Sequence, residues 1–283
     1  MRRRRDGRDL LKLCRFDADR LGVVDGPLVR DVTPVLERLP AQRWPAPRGD
    51  ALIGHLAGLR PWIEAACVAA PAIELDRVTL RSPVAGPGQV IAVRANYRGA
   101  AASDAGTTPS APELFLKAAS SVAGPGDGIE LRLPGRQVDH EVELVAVVGQ
   151  RVDGPTLALQ HEVVAGYCIG IDVTMRGAED RGLRKSLDGF TLLGPWLTTA
   201  DEVADPSGLE VELSVNGEIR QRGNTARLVH DVSALLAAAA GYFTLQPGDI
   251  VMTGTPPGVG PLERGDVVRC SIDRLGALRV DVR

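Results

Sequence analysis

Acidic side chains occupy alternate positions of one otherwise apolar segment, VDHEVELVAVVG. Successive side chains of a β-strand point to opposite faces, so Asp139, Glu141 and Glu143 share one face. A strand with its acids in solvent would carry a polar residue at position 145 or 147, but both residues are valine. The acidic face therefore runs into the interior, where an unpaired carboxylate is costly. The pattern predicts that a cation lies against these acids.

A second apolar segment, GYCIGIDVTMRG, ends in a lone acid, Asp172. Two glutamates from one strand and an aspartate from another would form an all-oxygen site, which suits Mg²⁺, Mn²⁺ or Ca²⁺. No cysteine or histidine is placed to bind zinc. We therefore expect Glu141, Glu143 and Asp172 to bind a hard divalent metal.

The elements that must hold these residues are mostly strands. The chain has 32 glycines and 20 prolines among 283 residues, which suits many short strands joined by turns. The acidic segment is read as one strand over residues 138–148, and a further strand is expected over 129–133. Helical spacing covers residues 50–70, where we expect Pro61 to separate two short helices, and residues 225–243. The predicted fold class is α+β, predominantly β.

Three regions are predicted along the chain. Residues 1–10 form a disordered basic tail, residues 11–83 a small N-terminal α+β lobe, and residues 84–283 the C-terminal catalytic domain. In the N-terminal lobe, two short strands are expected on either side of a turn at Asp25 and Gly26.

The composition excludes several classes of partner. A net charge of −3 and an aromatic content of 4% argue against nucleic-acid binding. No apolar run is long enough for a membrane helix. The four cysteines are far apart and form no CxxC pair, so we expect buried thiols in a reducing cytoplasm.

Segments along most of the chain resemble, in order, the fumarylacetoacetate hydrolase superfamily. They are RLGVVDGPLVRD, GPGQVIAVRANY, LFLKAASSVAGPGD, VDHEVELVAVVG, VAGYCIGIDVT, RKSLDGFTLLGPWL, VNGEIRQRGNT, LQPGDIVMTGTPPGVG and GDVVRCSIDRLGAL. The resemblance implies a small N-terminal lobe and a mixed β-roll that holds one divalent metal, usually in a homodimer.

The resemblance also implies roles for individual residues. Glu141 and Glu143 match the E-x-E metal pair of the family, and Asp172 matches its third ligand. Lys185 is similar to a catalytic lysine that orients water or substrate; the alternative is a surface lysine paired with Asp188. The residues that the resemblance places at the substrate are Arg176, which matches a carboxylate-binding arginine, Thr255, Lys117 and Tyr97.

One segment departs from the family pattern. Many relatives carry a segment like NYRDHAAE, whose histidine and glutamate act as an acid–base dyad, whereas this chain reads NYRGAAAS. Ala100 and Ser103 therefore replace the dyad, which weakens the case for carbon–carbon hydrolysis, since that reaction needs a base for water and an acid for the leaving carbanion. Asp104 is either a substitute base or, as we favour, a solvated turn residue.

The sequence thus predicts a Mg²⁺- or Mn²⁺-dependent enzyme that acts on a small 2-oxo, 2-hydroxydienoic or β-dicarbonyl acid through a metal-stabilised enolate. Tautomerisation, decarboxylation and carbon–carbon hydrolysis remain open. One alternative is a family member in a specialised biosynthetic pathway with a bulkier substrate, and another is a non-catalytic metal- or ligand-binding homologue. We expect a cytoplasmic homodimer with a small carboxylate substrate, no organic cofactor, and neither nucleic acid nor a membrane as partner.

Overall fold

Short strands make up most of the computed structural model, which describes residues 11–42, 44–45, 48–99, 111–154 and 163–283. The predicted basic tail, residues 1–10, lies outside these described residues, as do Ala100, Ser103 and Asp104. The predicted class, α+β with strands predominating, is confirmed.

The strands are β1 (Lys12–Phe16), β2 (Arg20–Asp25), β3 (Leu28–Asp31), β4 (Ala72–Glu74), β5 (Leu80–Arg81), β6 (Val90–Val93), β7 (Leu114–Lys117), β8 (Val122–Ala123), β9 (Val138–His140), β10 (Val142–Val148), β11 (Val164–Asp172), β12 (Thr174–Met175), β13 (Thr191–Thr199), β14 (Glu210–Val215), β15 (Glu218–Asn224), β16 (Ile250–Met252), β17 (Gly260–Pro261), β18 (Val267–Ile272) and β19 (Gly276–Asp281). The α-helices are α1 (Ala51–Ala69), α2 (Arg181–Arg184) and α3 (Val232–Tyr242). Short 3₁₀ helices cover Thr33–Arg38, Leu75–Arg77, Ala119–Ser121, Pro125–Asp127, Ala200–Glu202 and Thr225–Arg227.

Within the described residues the strands form a 12-stranded, a 4-stranded and a 3-stranded sheet. The large sheet follows the path β4-β3-β2-β1-β13-β11-β10-β16-β6-β7, with β5 beside β1 and β8 beside β13. The smaller sheets run β15-β14-β18-β19 and β12-β9-β17. Strands β1–β5 thus extend the sheet that carries β10 and β11, and a domain boundary at residue 83 stays a prediction.

The central strands β10 and β11 are covered on both faces, which explains why they are apolar on both. Leu144 and Ile169 belong to the core that also contains side chains of α3 and of the 4-stranded sheet. Val145 and Cys168 point the other way and belong to the core shared with α1. By the same alternation Glu143 and Asp172 lie on the α1 side of the sheet.

The two predicted short helices at residues 50–70 are a single helix, so that prediction is wrong. Asp50 caps the start of helix α1, since its side chain accepts a hydrogen bond from the Ile53 amide, and the helix continues through Pro61. Pro61 removes one amide donor, but it lies on the exposed face, where water can bind the freed carbonyl of Ala57. The buried stripe of α1 runs along the opposite face, which packs on the sheet.

The predicted helix at residues 225–243 begins later than expected. A 3₁₀ turn covers Thr225–Arg227, and α3 starts only after Asp231, which caps it by accepting from the Ala234 amide. Asn96 prevents an earlier start, because its backbone carbonyl binds the amide of Val229 and its side chain binds both backbone groups of His230.

Two predicted strands also differ. The acidic segment is divided at Glu141 into β9, which joins the 3-stranded sheet, and β10, which joins the large sheet. Residues 129–133 form no strand and contribute only an isolated bridge between Ile129 and Val282. The predicted turn at Asp25 and Gly26 is present between β2 and β3. Among the described helices, none is long and apolar enough to cross a membrane.

Candidate metal centre

Three carboxylates meet where β9 gives way to β10. Glu141, Glu143 and Asp172 each offer one oxygen, and these atoms all lie within 4.8 Å of one another. Glu143 is opposite Gly170 on β11, so Asp172, two residues further on, points to the same face. A side chain at position 170 would clash with Val145, since an added Cβ would lie 2.5 Å from Cγ2 of that valine. The structure therefore brings together the three acids that the sequence singled out.

Two lysines supply the cation that the sequence predicts against these acids. Nζ of Lys185 lies 2.6 Å from Oδ2 of Asp172, 3.0 Å from Oε2 of Glu141 and 2.6 Å from Oγ1 of Thr174. Nζ of Lys117 lies 2.5 Å from Oδ1 of Asp172 and donates to the carbonyl of Phe190 at 2.8 Å.

Lys185 is buried and does not form the alternative surface pair with Asp188. That carboxylate accepts a hydrogen bond from Arg132 instead, at 2.7 Å. Lys185 follows α2 directly as its C-terminal cap, and Asp180 caps the other end of this short helix through the amide of Gly182. The position of Lys185 is therefore fixed by α2.

The electrostatics of the cluster favour one more positive ion. Burial raises the pKa of Glu143 well above its usual value, and the charges of Asp172 and Glu141 raise it further. Burial would also raise the pKa of Asp172, but Lys117 and Lys185 outweigh it and hold that pKa below its ordinary value. When all three acids are ionised, the two ammonium groups leave one negative charge unbalanced, and the potential ligand atoms are all oxygen. These residues fit a hard divalent cation.

The pair Glu141 and Glu143 is fixed by a side chain that sequence reasoning missed, Gln221 on β15. Its Oε1 accepts from the Val142 amide at 3.1 Å and lies 3.0 Å from Nδ1 of His140. Its Nε2 donates to Oγ1 of Thr255 at 2.7 Å and to the Pro256 carbonyl at 2.8 Å. Gln221 is fully buried and thus joins the backbone between the two glutamates to the loop that contains Thr255.

The same loop contacts the cluster directly. The amide of Gly254 donates to Oε2 of Glu143 at 2.7 Å, and the hydroxyl of Thr255 donates to the Val142 carbonyl at 2.8 Å. Thr255 therefore lies beside the cluster, and its hydroxyl proton is already donated to the backbone. A substrate that contacts this hydroxyl would therefore donate a hydrogen bond to the oxygen lone pair that Gln221 does not occupy.

Tyr97 lies beside the cluster of Glu141, Glu143 and Asp172, whereas Arg176 forms its ion pair with an acid outside that cluster. Tyr97 is buried, and burial together with the nearby charge of Glu143 raises its pKa. Nε of Arg176 donates to Oδ2 of Asp139 at 2.5 Å, and the Arg176 side chain is 45% exposed. The third acid of the row, Asp139, is thus neutralised by Arg176 and does not join the cluster. Thr174, which binds both Lys185 and Glu141, was also missed by sequence reasoning.

Comparison with known proteins decides the family. Residues 89–283 match the family model described as fumarylacetoacetate (FAA) hydrolase C-terminal. The chain belongs to the fumarylacetoacetate hydrolase family. The resemblance seen in the sequence is therefore confirmed.

Relatives in the fumarylacetoacetate hydrolase family extend the match over nearly the whole chain. The chain is 45% identical to maleylpyruvate hydrolase of Aquipseudomonas alcaligenes, over 96% of this chain and 99% of that protein. It is 38% identical to the mitochondrial oxaloacetate tautomerase Fahd2a of Rattus norvegicus, over 74% and 70% of the two chains. The crystal structure of maleylpyruvate hydrolase from Sphingobium sp. SYK-6 in complex with manganese(II) and pyruvate superposes with a TM-score of 0.84 at 41% identity, covering 96% of this chain and 98% of that one.

Proposed function

We propose that this chain is a divalent-metal-dependent enzyme that hydrolyses a carbon–carbon bond in an acylpyruvate such as maleylpyruvate. The observation that carries the proposal is the buried cluster of Glu141, Glu143 and Asp172 with two lysines against it. The similarity to maleylpyruvate hydrolase of A. alcaligenes over nearly all of both chains supports the substrate class.

The reaction balances with one molecule of water. Its hydroxyl group adds to the acyl carbon, the bond from that carbon to the pyruvate methylene breaks, and the remaining proton ends on the methylene carbon. The products are a carboxylic acid and pyruvate. The presence of pyruvate in the Sphingobium complex agrees with such a product.

Glu141, Glu143 and Asp172 would hold Mg²⁺ or Mn²⁺, and the manganese in the Sphingobium complex supports Mn²⁺. When bound, the ion supplies a Lewis acid that polarises a carbonyl oxygen. Lys117 offsets part of the negative charge of Asp172, and Lys185 presents an ammonium group where a substrate carboxylate or oxyanion can bind. We further propose that the enzyme is a cytoplasmic homodimer with a small carboxylate substrate.

A second candidate function is the tautomerisation of a 2-oxo diacid. Ala100 and Ser103 stand where many relatives carry the acid–base dyad, and the shift of a proton between keto and enol forms requires no activated water. The identity of 38% with an oxaloacetate tautomerase supports this candidate.

One assay separates the two functions. Purified protein is mixed with maleylpyruvate or with enol oxaloacetate, in Mn²⁺, in Mg²⁺ or in a chelator, and ultraviolet absorbance and pyruvate release are both recorded. We expect pyruvate from maleylpyruvate only when metal is present. Decay of the enol without release of pyruvate would favour the tautomerase, and neither reaction in metal-loaded protein would overturn both candidates.

The matched variants are Glu143→Gln and Glu74→Gln. The first removes a buried charge from the cluster, and we expect it to lower metal-dependent turnover by about 100-fold or more. The second removes an exposed charge on β4 that pairs with Arg77, and turnover should stay close to that of the wild type.

A further inference from the structure

Beside the metal centre lies a cavity of about 460 Å³ along β7, the last strand of the large sheet. Its lining includes three aromatic residues, Phe115, Tyr242 and Phe243, and two charged residues, Glu113 and Arg181. The cavity therefore combines apolar residues with a few charged ones, as sites for small molecules do.

Phe115 connects this cavity to the metal centre. It lies two residues before Lys117 on β7, so the two side chains point to the same face. Nζ of Lys185 is 5.8 Å from the centre of the Phe115 ring, and Cζ of Arg181 is 5.5 Å from it. The separation between Nζ of Lys185 and Cζ of Arg181 is therefore at most the sum of these two distances.

Arg181 differs from the other arginines of its segment in its partners. Arg176 is paired with Asp139, and Arg184 donates to the backbone carbonyls of Glu179 and Met175. Across the part of the chain that the structure describes, Arg181 makes no ion pair and no side-chain hydrogen bond. Its known contact is with the face of Phe115.

The acid in the same cavity does not neutralise Arg181. Glu113 binds Arg94 instead, at 3.1 Å. A guanidinium that lies over an aromatic ring and has no hydrogen-bond partner keeps its N–H donors available, and these form paired hydrogen bonds with a carboxylate. The cavity thus offers a positive, fork-shaped group on the same phenylalanine ring that Lys185 of the metal centre approaches.

We propose that Arg181 binds the carboxylate at the acyl end of the substrate, with Phe115 supporting the guanidinium and packing against the carbon chain. This inference rests on the proposed function, because it takes the 2-oxo acid end of the substrate to lie at the metal centre. A maleyl group carries its own carboxylate at the end remote from pyruvate. The enzyme is therefore selective for acylpyruvates with a second carboxylate over those that end in a methyl group.

The test compares maleylpyruvate with acetylpyruvate in the wild type and in Arg181→Met. We expect the variant to raise KM for maleylpyruvate by about 10- to 100-fold, which corresponds to the loss of a charged hydrogen-bonded pair. Its kinetic constants for acetylpyruvate should stay within about threefold of the wild type. Arg181→Lys should restore part of the preference, because it returns the charge without the fork.

A binding measurement keeps the inference separate from hydrolysis. The inert acids 2-oxoheptanedioate and 2-oxoheptanoate differ only in the terminal carboxylate, and neither has the bond that hydrolysis would cleave. Calorimetry on Mn²⁺-loaded protein should show that the wild type favours the diacid by about tenfold or more and that Arg181→Met does not. If this preference is found but maleylpyruvate yields no pyruvate, the proposed hydrolysis fails and the role of Arg181 stands.

Two control variants test whether the diacid preference depends on Arg181 in particular or on another arginine. Arg132→Met removes an exposed arginine that pairs with Glu130 and Asp188, and it should leave the diacid preference unchanged. Arg176→Met tests the arginine that the family resemblance favours. Loss of the preference in Arg176→Met but not in Arg181→Met would overturn the inference, as would equal losses for both inert acids in Arg181→Met.

Discussion

Replacement of Gln221 with leucine should lower both the stability of the fold and the affinity for metal, because the same buried side-chain amide bonds the core backbone and the segment between the metal ligands. The leucine leaves the Val142 amide and the Pro256 carbonyl without their present partner. Each buried polar group left unpaired costs about 1–3 kcal/mol, so we expect the free energy of unfolding to fall by about 2–6 kcal/mol. Urea denaturation followed by circular dichroism measures this change.

The effect on the metal follows from the position of Val142 between Glu141 and Glu143. Without Gln221, the Val142 amide loses its hydrogen-bond partner, so the two carboxylates on either side lose part of their orientation. Residues that orient metal ligands typically contribute 10- to 100-fold to affinity, and we expect the Mn²⁺ dissociation constant to rise by about that factor. Calorimetric titration below the unfolding transition measures it.

Gln89→Leu is the matched control for Gln221→Leu. The side-chain amide of Gln89 donates to Asp249 at 3.0 Å and to the Thr244 carbonyl at 3.2 Å. Asp249 is hydrogen-bonded to Val148, at the end of β10 that is remote from Glu143. This variant should lose stability but bind Mn²⁺ normally. Normal Mn²⁺ affinity in Gln221→Leu, or the same weakening in both variants, would refute the reasoning.

Three further outcomes are expected. Lys117→Met removes a positive charge beside Asp172, so Mn²⁺ should bind about tenfold more tightly to the variant. Mn²⁺ should then raise the melting temperature of the variant more than that of the wild type, and a smaller rise in the variant would contradict the charge argument. Pro61→Ala restores an amide donor in the middle of α1, so the free energy of unfolding measured with urea should rise by about 1–3 kcal/mol. An unchanged free energy of unfolding would contradict the cost assigned to Pro61. Burial alone would raise the pKa of Asp31, but hydrogen bonds from neighbouring groups, including Arg20, hold it below its usual value. The ionised Asp31 therefore stabilises the fold above about pH 4, and this contribution is lost as the pH falls through the lowered pKa. Asp31→Asn should be less stable by about 1–2 kcal/mol at pH 7, and this difference should shrink as the pH falls through the lowered pKa of Asp31. A difference that stays constant as the solution is acidified would disprove the linkage.

The metal centre could be predicted because its signal is local in the sequence. The alternation at residues 139–143 and the valines that follow determine which way the acids point and that they are buried. Gln221 could not be found in this way. The rest of β15 is mostly exposed, so one buried glutamine makes no periodic pattern, and its partners are distant in the sequence.

The errors have equally specific causes. Strand β13 contains Gly194 and Pro195, a pair that favours a turn, although both residues lie inside a fully buried strand. Pro61 was taken to end a helix because the sequence does not show that it faces solvent, where its missing hydrogen bond costs least. In both cases tertiary packing overrides a local preference.

The position of β1 in the large sheet has a consequence for the synthesis of the chain. Leu13 of β1 pairs with Leu197 of β13, so the first strand acquires this neighbour only after most of the polypeptide has left the ribosome. At about 5–20 residues per second this delay is on the order of 10–40 s. During that time β1 and β2 can pair with each other, but the edge of β1 that later binds β13 is open to other chains. Folding during translation is therefore limited by how soon β13 emerges, and a nascent chain stalled before residue 191 should be the form most prone to aggregate.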